Sequence, residues 1–270
     1  MALLCLLFLN LELIKVTSKC FHRIGIVAAF VFMVAAQAVA ATGEENKQKA
    51  RALIQRLEQE YLSSEVPTIV QKLQKNILPI SVLQAFALEQ NLIIPSDLRN
   101  NALSLHRFGG SPRKSTRQFF TRLVTGEVKA GEQLPAFIQA LNITPSQIDL
   151  YQPLAGAQAY PAYTTWLANY ASSSEIAAAL LINFQSFGQS IGHMAQALKK
   201  HKGMSDSQIE FLLTFSKLPS GFRGQAIDII SEGLASGVRE SDIETRVRLI
   251  QSYERDFWRA LNDVSKAAKT

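Results

Sequence analysis

Near the C-terminus, Ile243, Val247, Ile250, Phe257, Leu261 and Val264 alternate by three and four, so they share one face of a helix. Glu254 falls on the same stripe, where a hydrophobe is expected. A buried carboxylate is costly unless it is paired or hydrogen-bonded, and burial raises its pKa. Glu254 is therefore either a pocket acid or acceptor, or a structural carboxylate tied to a tyrosine or arginine of a neighbouring helix. Upstream, Ile176, Leu180, Phe184, Phe187, Ile191, Met194 and Leu198 form a second stripe, with Asn183, Gln185, Gln189 and His193 on the other face. Gly188 and Gly192, four apart, admit the close approach of another helix or of a flat ligand. Leu83, Phe86, Gln90, Ile93 and Asp97 make a third stripe, with Glu89 beside it. Tyr151, Tyr160, Tyr163 and Trp166 cluster in mid-chain, a pattern that core packing also produces.

Other chemistries lack their residues. Both cysteines, Cys5 and Cys20, precede residue 41, so the rest of the chain has no thiol nucleophile, thiolate metal site or disulfide. A di-iron bundle needs Glu-x-x-His pairs, and neither His106 nor His193 has a carboxylate three or four residues away. His201 sits among Lys199, Lys200 and Lys202, which repel a cation. No metal and no cofactor is expected, although a haem, needing one axial histidine, escapes this reasoning. The net charge of +6 is interspersed, and the densest basic patch (Arg107, Arg113, Lys114, Arg117, Arg122) comes without a recognition motif or stacking aromatics. A solvated loop explains it, and no nucleic-acid partner is expected.

The elements that must position these residues are helices. At 270 residues and 47% hydrophobic, the chain can bury a good-sized core. Residues 1–41 read apart from it: a basic flank, an uncharged run from Gly25 to Ala41 and Ala38-Val39-Ala40 describe a signal peptide cleaved after Ala40. Uncleaved, residues 24–41 are a short membrane anchor, the only membrane contact expected. The alternative is a cytoplasmic protein that starts at Met33. From Glu44 onward the apolar spacing is helical throughout, and no period-two alternation survives. Helices are expected over 44–76 (broken at Pro67), 80–105 (kinked at Pro95), 114–125, 128–141, 158–171, 174–201, 206–217 and 222–235. A last helix is expected from Ser241, with a Ser241/Glu244 capping box. Residues 142–157 read as irregular. The fold class is all-α, a single bundle of seven or eight helices over 42–270.

Four segments in order resemble the TenA/PqqC family over about residues 50–265. They are Phe86–Ile94, Ala159–Leu167 (Ala-Tyr-Pro-Ala-Tyr-Thr-Thr-Trp-Leu), Leu181–Gly192 and Ser252–Trp258, the last similar to a terminal Glu-x-x-Phe-Trp motif. The resemblance implies a haem-oxygenase-like bundle with a central pocket, assembled as a homo-oligomer through helical faces. In thiaminase-like members a cysteine attacks the pyrimidine, positioned by an aspartate, a tyrosine and a glutamate; the matching positions here are Phe184, Gln90, Tyr163 and Glu254. Phenylalanine is no nucleophile, so thiaminase chemistry by that route is not expected. The di-iron branch would use Glu89 and a histidine seven residues on, which here is Ser96. The implied function is binding of a small aromatic or heterocyclic molecule, of thiamine-pyrimidine or quinone-precursor type. Glu89, Gln90, Tyr163, Phe184, Gln185 and Glu254 are the candidate contacts. The alternative is a cofactor-free oxidase or hydrolase in which Glu254 and Tyr163 act on the substrate.

Overall fold

Apolar residues spaced three and four apart drive nearly every segment into an amphipathic helix, and the helices then bury those stripes against one another. A computed structural model describes residues 42–62 and 66–267. Lys47–Thr270 form one unit; of a second unit, Met1–Asn46, only 42–46 are described, and they are helical. The signal-peptide, anchor and Met33 readings concern residues outside the described ones. Among the described residues no helix is long and apolar enough to cross a membrane.

In chain order the helices are α1 (42–61), α2 (Thr68–Gln74), α3 (Ile80–Phe108), α4 (Lys114–Ala140), α5 (Pro145–Asp149), α6 (Ala155–Tyr170), α7 (Ser173–Lys202), α8 (Glu210–Phe215), α9 (Phe222–Ala235) and α10 (Glu240–Ala267). The described residues contain no strand. Three long helices organise the rest: α3 packs on α4, α6 and α10, α7 packs on α2, α8, α9 and α10, and α10 also lies along α6. Two clusters of buried hydrophobics result, one around Phe86, Phe137, Phe257 and Trp258, the other around Phe119, Phe120, Phe222 and Ile250.

The sequence reading differs from the structure at four places, one being the expected helix 206–217, of which only Glu210–Phe215 is helical. Gly126 does not interrupt α4, which runs through it and through Pro135, because Phe119, Phe120, Leu123, Ala130, Leu134 and Phe137 stay on one buried face. The irregular stretch 142–157 holds a short helix, α5, opened by a Thr144/Gln147 capping box. At the start of α10 the helix already includes Glu240, and the Glu244 carboxylate turns to Arg56. The capping box at Ser172/Glu175 does open α7, and Gly203 in the left-handed conformation ends it. The basic patch is spent within the chain: Arg107, Arg117 and Arg122 donate to main-chain carbonyls of Ala168, Ser111 and Ser220, and Arg113 pairs with Glu232.

Candidate functional site: a cavity with three buried carboxylates

Three of the stripes carry a carboxylate where a hydrophobe belongs, and all three turn towards the same space. Asp97 follows Phe86, Gln90 and Ile93 on α3, Glu127 lies between Leu123 and Ala130 on α4, and Glu254 lies between Ile250 and Phe257 on α10. They line a cavity of about 50 Å³, counted for the centres of water molecules, together with Gln90, Tyr160, Asn183 and a wall of Phe184, Phe187, Phe215 and Phe257. Adding the water radius of about 1.4 Å all round gives on the order of 200 Å³, room for one substituted ring. A narrower space of about 10 Å³, sized for one water, continues past Asp97 and Glu127 towards Thr164 and Ser104.

The Glu254 carboxylate is held on both sides. Asn183 Nδ2 donates to Oε2 at 2.8 Å, while Trp258 Nε1 and Ser186 Oγ donate to Oε1 at 3.1 and 3.2 Å. Trp258 is one turn along the same helix, so Glu-x-x-x-Trp fixes the acid locally, and its indole stacks on Phe86 at 6.2 Å. Burial pushes the Glu254 carboxyl up to about 7; the hydrogen bonds from Trp258 and Ser186 and the Arg255 charge pull the other way. Asn183 links it onward, because Tyr160 Oη donates to Asn183 Oδ1 at 3.0 Å.

Asp97 accepts from Thr164 Oγ1 at 2.7 Å, and Asn100 Nδ2 in turn donates to that hydroxyl at 3.0 Å. Burial raises Asp97 to about 6 against these hydrogen bonds. Glu127 accepts one long bond, from Asn101 Nδ2 at 3.5 Å, and burial together with the Asp97 charge holds its carboxyl well above the usual range. Tyr160 sits among all three acids: burial, then the charges of Asp97, Glu127 and Glu254, raise its phenol strongly. None of the three carboxylates takes part in an ion pair within the described residues. The side chain of Gln90, a residue 5% exposed, makes no hydrogen bond among the described residues. No group of three or more His, Cys, Asp or Glu among the described residues is arranged to hold a metal ion.

The structure brings Gln90, Phe184 and Glu254 together around the cavity and leaves Glu89, Tyr163 and Gln185 elsewhere. Glu89, wholly buried, accepts from Tyr151 Oη (2.7 Å), Leu154 N (2.7 Å) and Gln158 Nε2 (2.6 Å), which ties α3 to the start of α6. Gln185 Nε2 donates to Glu58 Oε1, a carboxylate that Arg223 also clamps through Nε and Nη2. Tyr163 stacks on Trp166 and meets Tyr253 at a tilt of 42°, and its buried hydroxyl lies near Arg246 without a well-formed hydrogen bond among the described residues. Gly188 does admit a close neighbour: a Cβ there would stand 2.7 Å from Phe215 O, so the end of α8 rather than a ligand fills the gap.

Asp97, Glu127, Tyr160 and Asn183 are polar cavity residues that sequence reasoning did not select, Asp97 being visible only as a member of the third stripe. Tyr160 was lost among the mid-chain aromatics, and Asn183 was visible only as one polar residue of a helix face. Glu127 carried the same signal as Glu254, a carboxylate in an apolar stripe, hidden by breaking the helix at Gly126.

An all-α bundle of crossing helices around a central cavity is the haem-oxygenase-like fold, and solved structures agree. The chain is similar to a domain of unknown function with that fold from Shewanella denitrificans OS217 (13% identity, 84% of this chain and 93% of the other, TM-score 0.58). It is similar also to TenA homologues from Pseudomonas syringae pv. tomato (11%, 80% and 92%, 0.60) and Pyrococcus furiosus (19%, 82% and 99%, 0.55). No curated protein matches the sequence. Residues 51–263 match the TENA/THI-4/PQQC family, and the chain belongs to that family.

Proposed function

We propose that the protein binds a small aromatic or heterocyclic molecule in the cavity between α3, α4, α6, α7 and α10, and does not cleave thiamine by a cysteine route. The observation that carries this reading is unmet polarity inside aromatic walls. Among the described residues the Gln90 side chain makes no hydrogen bond, Glu127 accepts one long one, and no ion pair engages Asp97, Glu127 or Glu254. A flat ligand with amino or ring-nitrogen donors meets the carboxylates at its edge and Phe184, Phe187 and Phe257 at its faces. Family membership supports the thiamine-pyrimidine or quinone-precursor class. The Phe184 position, where the resemblance puts the thiaminase cysteine, supports the loss of that reaction.

A catalytic reading has one observation in its favour: a carboxyl raised to about 7 is suited to general base work near neutrality. Glu254 would then activate a water or take a proton from a bound substrate. Tyr163 does not line the cavity, so the phenol available beside Glu254 is Tyr160.

The test is titration calorimetry of the full chain with 4-amino-5-hydroxymethyl-2-methylpyrimidine, thiamine and aromatic amines, with product analysis for turnover. Saturable binding of at least one compound is expected, weakened tenfold or more by Glu254→Gln or Gln90→Leu, with thiamine left intact. Absence of binding across the panel, or unchanged affinity in both variants, would remove the pocket reading. Product formation that Glu254→Gln abolishes would favour the catalytic one.

A further inference from the structure

The three cavity carboxylates are not equally provided for. Glu254 has donors on both oxygens, three in all. Asp97 and Glu127 each leave one oxygen, Oδ2 and Oε2, without a hydrogen bond among the described residues, and neither oxygen is sealed off by its neighbours. Their bonded oxygens are weakly held too. The single hydroxyl proton of Thr164 is contested between Asp97 Oδ1 at 2.7 Å and Pro161 O at 3.0 Å, and Asn101 Nδ2 stands 3.5 Å from Glu127 Oε1. Asn100 favours the Asp97 charge from nearby while donating to Thr164. Gln90, on the same cavity wall, precedes Asp97 by two turns of α3, about 10 Å along the axis. Its buried amide is likewise unbonded among the described residues and open to the cavity at both ends. Phe184, Phe187 and Phe257 complete the wall, and the faces of such rings attract positive charge.

We propose that Asp97 and Glu127 form a subsite for a positively charged nitrogen, a primary ammonium on a side arm of the aromatic ligand, whose ring lies among the phenylalanines with its far edge at Gln90. The proposal rests on the aromatic-ligand reading above and narrows it to cations. An ammonium brings three N–H donors, enough for both open carboxylate oxygens, and its bonds to them are charge-assisted. It also relieves the repulsion between Asp97 and Glu127, whereas an anionic ligand would add a further like charge. No third His, Cys, Asp or Glu among the described residues joins the two acids in a metal-holding arrangement, so the donor set suits an organic ammonium.

The test titrates the full chain near neutral pH with benzylamine, benzyl alcohol and benzoate, one ring carrying an ammonium, a hydroxyl or a carboxylate. Benzylamine is expected to bind at least tenfold tighter than benzyl alcohol, with benzoate weakest. That preference for the amine is expected to fall below threefold in Asp97→Asn and in Glu127→Gln, and to persist in Glu254→Gln. The preference is a ratio taken within one protein, so a general loss of affinity cancels, and the series on the unaltered chain decides even where a variant fails to fold. Equal binding of amine and alcohol, tightest binding of benzoate, a preference that survives both Asp97→Asn and Glu127→Gln, or one lost in Glu254→Gln alone would overturn the subsite and leave the aromatic-ligand reading standing. Absence of saturation with all three probes would also overturn the subsite; the aromatic-ligand reading falls with it only if the pyrimidine and amine panel fails as well.

Discussion

Replacing Glu254 by Gln converts the raised carboxyl into a measurable pH dependence. The carboxyl titrates at about 7 in the folded chain, against 4.5 for an ordinary glutamate. Its folded form therefore binds the proton more tightly than its unfolded form. The associated stability is fully present below about pH 4.5 and is lost as pH rises through 7, a change of about 3 kcal/mol. Glutamine cannot titrate. It also cannot satisfy Trp258, Ser186 and Asn183 together, since all three donate to Glu254 and one would face the new NH₂, at a cost of about 1–2 kcal/mol. The variant should thus be less stable than wild type at pH 4.5 and more stable at pH 8, with the two curves crossing between about pH 5 and 7. Urea unfolding at half-unit pH steps measures both; groups other than residue 254 cancel in the difference. A difference that stays flat within about 1 kcal/mol over this range would refute the assignment of Glu254 as a buried, unpaired acid.

Asp97→Asn should behave similarly over a lower window, with stability relative to wild type rising by about 3 kcal/mol as pH passes from 4 to above 6, and carbon-13 NMR should show the Glu127 carboxyl titrating lower once the Asp97 charge is gone. Glu89→Ala should cost about 3 kcal/mol or more in urea unfolding, because it strands Tyr151 Oη, Leu154 N and Gln158 Nε2; a loss under about 1 kcal/mol would contradict its role as the tie between α3 and α6. Gly188→Ala should destabilise by about 1–3 kcal/mol, since its methyl meets the Phe215 carbonyl and must push α8 off α7. An unchanged melting temperature would show that the α8 end is not held there.

The fold was legible because it is written in apolar spacing, and spacing survives when identity does not. The third stripe, Phe86, Gln90, Ile93 and Asp97, already pointed at the cavity, as did Glu254 within Ile250 and Phe257. What remained hidden depended on partners distant in sequence. Nothing near Glu89 says that a phenol, an amide and a main-chain N–H more than sixty positions on will saturate it, or that Gln185 will turn to Glu58. The choice between a structural and a pocket carboxylate is made by those partners: Glu89 meets three, Glu127 meets one at 3.5 Å. Gly126 misled for a related reason, since the burial of Phe120, Leu123, Ala130 and Leu134 outweighs one glycine's helix cost of about 1 kcal/mol.

The cavity reading is tested most directly by weighing the purified full chain under native and denaturing conditions, wild type beside Glu254→Gln. The prediction is an organic mass retained on each wild-type subunit, released on denaturation and depleted in the variant. A cavity that is empty in the wild type after incubation with the pyrimidine and amine panel, or a retained mass that Glu254→Gln leaves untouched, would contradict it.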